Sequence, residues 1–342
     1  MIQEQQTGFF EELSQRNLKP LWLVLSSIFT PEPTTPVQPC LWRWEDVRKY
    51  CLHAAEIVSA EQAERRVLML VNPGLNGEPA ITQTLYAGVQ IILPGEIARS
   101  HRHSAAALRF IIEGSGGYTS VDGEETIMEE GDFIITPNWT WHDHGNRSDK
   151  PIIWLDGLDL PLTMRLNQIF YQPYEQERFP VTFPTDSSAD AFGFGILPRA
   201  QSWDKPFSPI INYKWERAWR ALKAAEQRGL ISEFDDVIIE YKNPVTGGPA
   251  LPTMAAYLQL LRPGVTTRAH RHTSSTVYLV VRGEGITEIN GVPFEWREHD
   301  IFCIPTWAEH RHINRSREEA VLFSFSDEPV VRSLGFYREQ PS

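Results

Sequence analysis

Apolar residues along this chain fall in short runs bounded by Gly, Pro, Asn and Asp. Leu85–Leu93, Ala107–Ile112 and Phe133–Thr136 are rich in Val, Ile, Phe and Tyr. Runs of that length and composition predict β-strands, and their density predicts a small antiparallel barrel or double-sheet roll. Helical patterning is confined to two stretches. One is Trp44 to Arg66, rich in Ala and Glu. The other is Lys214 to Gln227, with Gly229 as its expected C-cap. The stretch 161–250 mixes both patterns with Pro- and Ser-containing loops.

The strand-rich pattern occurs twice. Pro94-Gly95-Glu96 to Asn146 returns as Pro263-Gly264-Val265 to Asn314. Each copy runs from Pro-Gly to His-Arg-His, then to a glycine (Gly114, Gly283) and an Asp-Gly or Asn-Gly turn. Each ends in Pro-x-Trp-x-x-His-x-His-x-Asn. A repeat on this scale predicts two similar β-domains. The expected organisation is a helical or extended segment over 1–70 and a first barrel over 71–160. A linker whose helix packs on the barrels follows over 161–250, then a second barrel over 251–342.

Composition narrows the classes of function. The 342 residues carry 32 Lys+Arg against 44 Asp+Glu, a formal charge of −12, which argues against a nucleic-acid partner. Cys40, Cys51 and Cys303 are too few and scattered for a disulfide framework or a cysteine zinc site. The apolar run Leu21–Leu25 is too short to span a bilayer and lacks the flanks of a secretion signal. No membrane association is expected, and a cytoplasmic location is.

Histidine placement carries the chemistry. Eight of the ten histidines form four His-x-His pairs, at 101/103, 142/144, 270/272 and 310/312. Random placement would give about 0.3 such pairs, so the pattern is selected rather than incidental. On a strand, residues i and i+2 share a face, so each pair points one way. Two such strands side by side bring three or four imidazoles together, a donor set suited to Fe, Zn, Cu or Ni.

These residues resemble the two cupin motifs, Gly-x5-His-x-His-x3–4-Glu-x6-Gly and Gly-x5-Pro-x-Gly-x2-His-x3-Asn. They read here as Gly95, His101, His103, Ala107, Gly114, then Gly131, Pro137, Trp139, His142, Asn146. Trp139 replaces a glycine, and Ala107 stands where cupins place a metal-binding glutamate. The second repeat departs likewise, with Thr276 at the glutamate position and His299 at the opening glycine of its second motif. The fold implied is mainly β, a double cupin with a few helices at the N-terminus and between the barrels. Three neutral imidazoles leave a divalent metal's charge uncancelled, which favours an anionic, chelating substrate. Arg109, two residues past Ala107, shares its inward parity on a regular strand and has a fork that grips a carboxylate. The second repeat has Tyr278 at the matching place.

The longer run from Leu85 through Trp154-Leu-Asp-Gly-Leu-Asp resembles the gentisate 1,2-dioxygenase family, with the related salicylate and 1-hydroxy-2-naphthoate enzymes. The resemblance implies Fe(II) on His101, His103 and His142, and ring opening of an aromatic hydroxycarboxylate by O2, with gentisate favoured. It implies Arg109 as carboxylate clamp, Arg65 as a second anion-binding residue, and His144 as a non-ligating acid–base group. Gln90 and Asp156 become candidate substrate-contacting or orienting residues. His144 is expected near its ordinary pKa, and Trp139 and Trp141 are expected in the barrel core. His270, His272 and His310 form either a second metal site or a buried hydrogen-bonded cluster. A homotetramer is implied too. An oxalate decarboxylase-like manganese bicupin is disfavoured by Ala107 and Thr276. A storage or sensor bicupin is disfavoured by the retained histidines and by the lack of a basic helix-turn-helix.

Overall fold

Strand Ala107–Glu113 shows how the two halves are held together. Leu108, Phe110 and Ile112 point one way, into an apolar cluster shared with Leu258, Val277, Phe323 and Phe325. Ile111 points the other way, into a separate cluster with Ile92, Ile134, Ile152 and Trp154. Both faces of this sheet are therefore buried, which is why its strands read as near-continuous apolar runs.

The computed structural model describes residues 2–200 and 203–342. Residues up to Thr34 form a small unit of their own, with helix Ile2–Gln15 and two helical turns, Leu21–Leu23 and Leu25–Ile28. Residues 35–342 form the second unit and contain both barrels.

Each barrel pairs a six-stranded with a five-stranded antiparallel sheet. In the N-terminal barrel the larger sheet runs Asn212–Tyr213, Phe133–Thr136, Ala107–Glu113, Ile152–Leu158, Tyr86–Ile92, Val67–Met69. The smaller runs Tyr171–Pro173, Ile97–His103, His142–Asn146, Gly117–Val121, Glu124–Met128. The C-terminal barrel repeats this arrangement, with Cys40–Trp42 and Val237–Glu240 at the edges of its larger sheet. Its smaller sheet is closed by Glu339–Pro341 beside His270–His272. Segments outside the repeats thus complete the sheets at their edges.

The larger sheets pack face to face, with Phe110 and Phe323 stacked at 4.4 Å across the seam. Two reciprocal contacts flank that core. Asp159 accepts from the Ala106 amide and from Thr253 Oγ1 at 2.6 Å. Asp327 accepts from the Ser275 amide and from Thr84 Oγ1. Each barrel's aspartate thereby caps its own strand and takes a hydroxyl from the other barrel.

The sequence departures from the cupin pattern leave the backbone unchanged. Trp139, His299 and Trp307 stand where the motifs have glycine, and all three adopt positive φ, at 61°, 66° and 62°. Side chains seldom accept that conformation, which costs roughly 1–2 kcal/mol, so the turn itself is retained. Trp139 and Trp141 do not enter the core as expected. They sandwich the Arg102 guanidinium, at 4.3 and 4.4 Å, on the outer side of the sheet. Outward parity of Arg102 between two inward histidines puts its cation there.

Helix Lys214–Gln227 is found as Trp215–Gln227, with Gly229 in the left-handed region just beyond it. The helix expected to Arg66 instead ends at Ile57. Val58 turns extended, and Ser59 starts a short new helix, Ala60–Ala63, through a capping box with Gln62. Glu64 then takes φ 54°, and the chain leaves the helix before Arg65.

Candidate functional site

The histidine cluster is built by one irregularity. Strands Ile97–His103 and His142–Asn146 pair with His101 opposite His142 and Ala98 opposite His144. Three residues on one strand thus match two on the other, which defines a β-bulge between Ala98 and His101. Without it, Ala98 and His101 would face opposite sides; with it, both face the barrel interior.

His101, His103 and His142 each offer a ring nitrogen, and these atoms lie within 4.8 Å of one another. Ring centroids are 4.5 to 5.3 Å apart. His103 Nδ1 donates to the Ala105 carbonyl at 2.7 Å, and His142 Nδ1 to the Thr140 carbonyl at 2.9 Å. Protons fixed there leave Nε2 bare on both rings, the usual preparation of a metal-binding imidazole. Burial, reinforced by neighbouring cations, drives His101 down to about 2, and burial also lowers His103 and His142. The rings are neutral at physiological pH, as ligands must be. Ala107 is buried and contributes no carboxylate.

His101 differs from its neighbours. Its Nδ1 lies 3.0 Å from Arg65 Nη2, which also donates to the Arg99 carbonyl. A guanidinium only donates, so Nδ1 accepts here and the proton sits on Nε2. Arg65 and a metal thus make opposite demands on this ring. Arg65 is half-buried over the cluster, not on a solvated helix face.

Arg109 and Asp156 pair in register on adjacent strands, facing inward. Arg109 Nε donates to Asp156 Oδ1 at 3.3 Å and Nη1 to Thr136 Oγ1 at 2.9 Å. Arg109 is 3% exposed and Asp156 5%. Burial pushes the Asp156 carboxyl up, and Arg109 opposes that push. Two guanidiniums, Arg65 and Arg109, against one carboxylate make this interior locally positive within an acidic protein.

His144 faces the same interior, 5.8 Å from His142, and lies outside the three-nitrogen cluster. Thr119 Oγ1 lies 3.0 Å from His144 Nδ1 and donates its own proton to Met128 Sδ. The hydroxyl has one proton, so it accepts from Nδ1 and leaves His144 Nε2 as a bare acceptor. The expectation of an ordinary pKa is corrected: burial, then Arg109 and Arg65, hold His144 well below 6.5. Gln90 is buried opposite Trp154 and shares its strand face with Tyr86 and Gly88.

The structure thus brings all eight N-terminal candidates to one barrel. Sequence reasoning missed Tyr86, Thr136 and Tyr171. Tyr86 was legible as the residue four before Gln90 on an alternating strand. Tyr171, with its ring 5.0 Å from His101, comes from the linker and left no pattern to read.

The C-terminal barrel repeats the cluster with His270, His272 and His310, again within 4.8 Å. Tyr278 stacks on Phe302 at the place equivalent to Arg109.

Neutral buried imidazoles make stability depend on pH. Burial holds His101, His103, His142, His144, His272, His310 and His312 below the unfolded value of ~6.5. As pH falls through that value the unfolded chain takes up protons the folded chain refuses, so stability drops. Asp159 and Asp327, raised to about 6, act in the opposite sense as pH falls through that value, but they are two groups against seven imidazoles. The urea midpoint of metal-free protein is therefore expected to be lower at pH ~6.2 than at ~7.5. A flat or rising midpoint would show the imidazoles to be solvated.

Comparison with known proteins adds to this geometry. The cupin domain family matches residues 88–158 and 257–326. A gentisate 1,2 dioxygenase 1 from Aquipseudomonas alcaligenes is 41% identical, over 99% of this chain and 97% of its own. A 5-aminosalicylate 1,2-dioxygenase from Comamonas sp is also 41% identical, over 96% of this chain and 88% of its own. The crystal structure of salicylate 1,2-dioxygenase from Pseudoaminobacter salicylatoxidans with gentisate superposes with a TM-score of 0.92 at 31% identity. That match covers 99% of this chain and 94% of the other. Among the described residues no helix is long and apolar enough to cross a membrane.

Proposed function

Because the chain belongs to the gentisate 1,2-dioxygenase family of ring-cleaving bicupins, we propose that it opens gentisate with O2. The bond between the carboxylate-bearing and hydroxyl-bearing ring carbons breaks, and both oxygen atoms enter the product, maleylpyruvate. The observation that supports this most is a carboxylate-free cluster of three imidazoles beneath two guanidiniums.

The donor set fits ferrous iron: three neutral nitrogens, two with their second nitrogen already anchored on a carbonyl. Iron held by His101, His103 and His142 would supply a redox-active Lewis acid that couples an electron-rich ring to O2 without an external reductant. The remaining roles belong to the chain. Arg109 receives the substrate carboxylate on Nη2, since Nε and Nη1 are committed to Asp156 and Thr136. Asp156 holds the fork in plane. Arg65 leaves His101 for the same carboxylate, which frees His101 Nδ1 to carry its proton. His144 accepts a hydrogen bond from the ring hydroxyl on its bare Nε2, and Gln90 contacts the far side of the ring. The buried strands exclude water around these groups. A homotetramer in the cytoplasm completes the reading.

The Comamonas relative's equal identity favours one second reading, 5-aminosalicylate, in which an amine replaces the 5-hydroxyl. The two are separated by oxygen uptake after anaerobic loading with Fe(II). Gentisate, 5-aminosalicylate, salicylate and 1-hydroxy-2-naphthoate are compared side by side. Gentisate is expected to give the highest kcat/KM, with one O2 consumed per ring opened. Preference for another acid would reassign the substrate, and no uptake on any would refute ring cleavage.

A further inference from the structure

We propose that Met128 is a positioning residue for His144: its thioether takes the Thr119 hydroxyl proton and so keeps His144 Nε2 free to accept from the ring hydroxyl of the substrate. The proposal deepens the ring-cleavage reading and rests on it for its effect on turnover. The placement of the proton itself is testable without any reaction.

The two barrels carry the same relay with one member changed. Thr119 pairs with His144 across adjacent strands, and Thr287 pairs with His312 in the same way. In both copies the histidine lies 25 residues after the threonine, and a third side chain in the relay lies 9 residues after it. That third side chain is Met128 in the first barrel and Trp296 in the second. All six residues are buried, so each hydroxyl settles its proton among these groups.

A thioether only accepts and an indole N–H only donates, so the two relays run in opposite directions. In the second barrel Trp296 Nε1 donates to Thr287 Oγ1 at 2.9 Å. The Thr287 proton then goes to His312 Nδ1, 2.9 Å away, and the ring carries its own proton on Nε2. The other tautomer would leave a buried hydroxyl proton without an acceptor. In the first barrel Thr119 Oγ1 donates to Met128 Sδ at 3.4 Å. It accepts in turn from His144 Nδ1 at 3.0 Å, which leaves Nε2 bare. Both rings are neutral, so each has a single proton to place.

A phenolic donor needs a bare nitrogen, and a protonated one turns it away. The change at 128/296 therefore travels with the change at 109/278, where Tyr278 replaces the arginine clamp. Acceptor and clamp stand in the same barrel, which is equipped for a hydroxycarboxylate, and the other barrel lacks both. His312 Nε2 is buried with no hydrogen-bond partner. Met128 acts only through Thr119 and His144.

Neutron diffraction from perdeuterated crystals of the full-length protein tests the proton placement in both barrels at once. Deuterium is expected on His144 Nδ1 with Nε2 bare, and on His312 Nε2 with Nδ1 bare. Deuterium on His144 Nε2 would overturn the proposal. Oxygen uptake by the Fe(II)-loaded enzyme tests the consequence. Met128→Leu conserves volume and removes the acceptor. It is expected to lower kcat for gentisate by ~10-fold, with a smaller change in KM. Thr119→Val should lower kcat likewise, and Thr119→Ser should recover most of that loss. Thr119→Val/Met128→Leu should cost no more than Thr119→Val alone, because both residues act through one hydroxyl. Unchanged kcat in Met128→Leu, or fully additive losses, would overturn the positioning role. A wild type that opens no ring would refute ring cleavage instead, and the neutron map would still decide the tautomer.

Discussion

His103→Ala is expected to empty the N-terminal barrel of iron and to reduce ring cleavage to background. His103 supplies one of three donors, and Ala107 leaves no carboxylate nearby to take over. Losing an outer partner of a ligand costs ~10–100-fold in affinity, and loss of a ligand from a three-donor site exceeds that. Retention at the working concentration of iron should fail altogether. The Ala105 carbonyl freed by the change belongs to a buried residue in the turn after strand Ile97–His103, so a loss of about 1–3 kcal/mol of stability is expected alongside. Iron content by mass spectrometry and oxygen uptake with gentisate measure both parts. Unchanged iron and turnover would show that His103 is not a ligand.

Arg109→Met is expected to lower kcat/KM for the aromatic acid while leaving the metal bound, and bound more tightly. The guanidinium is buried, so its contact with a substrate carboxylate is barely screened. Truncating such a partner costs about 2–5 kcal/mol, or ~30- to several thousand-fold. Removing a cation beside the three imidazoles meanwhile makes a divalent ion easier to hold. These opposite signs separate an anion clamp from a general structural role. The change also strands Asp156 as an unpaired buried charge, which can cost about 3–5 kcal/mol of stability. Arg109→Met/Asp156→Asn removes that complication, and the same fall in kcat/KM is expected in the double variant. Wild-type kinetics in a folded variant would refute the clamp.

Much of this site could be read from residue order because strands impose a two-residue period. His-x-His at 101/103 and 142/144 needs only that rule to share a face. Arg109 follows Ala107 by the same rule, and the cross-strand pair with Asp156 confirms its inward direction. The repeat exposed two barrels because each must bury its own interior.

What escaped depends on register and on distant partners. The bulge that turns both Ala98 and His101 inward is a property of two paired strands and leaves no local signature. Arg65 sits on what read as a continuous helix, yet the Ser59 capping box restarts the chain and delivers it to His101. The depressed basicity of His144 comes from burial and from two arginines remote in sequence. Cys40–Trp42 joins the far barrel across most of the chain length, a pairing no periodicity reveals. Trp139 and Trp141 looked like core residues because large aromatics usually are. Arg102 between them gives two outward rings a partner at the surface.

Anomalous diffraction at the iron edge, on crystals of protein loaded anaerobically with Fe(II), bears most directly on the N-terminal centre. A peak is expected among the three ring nitrogens of His101, His103 and His142, with no protein carboxylate oxygen within bonding distance. An empty cluster after full loading, or a peak that includes a carboxylate ligand, would contradict it.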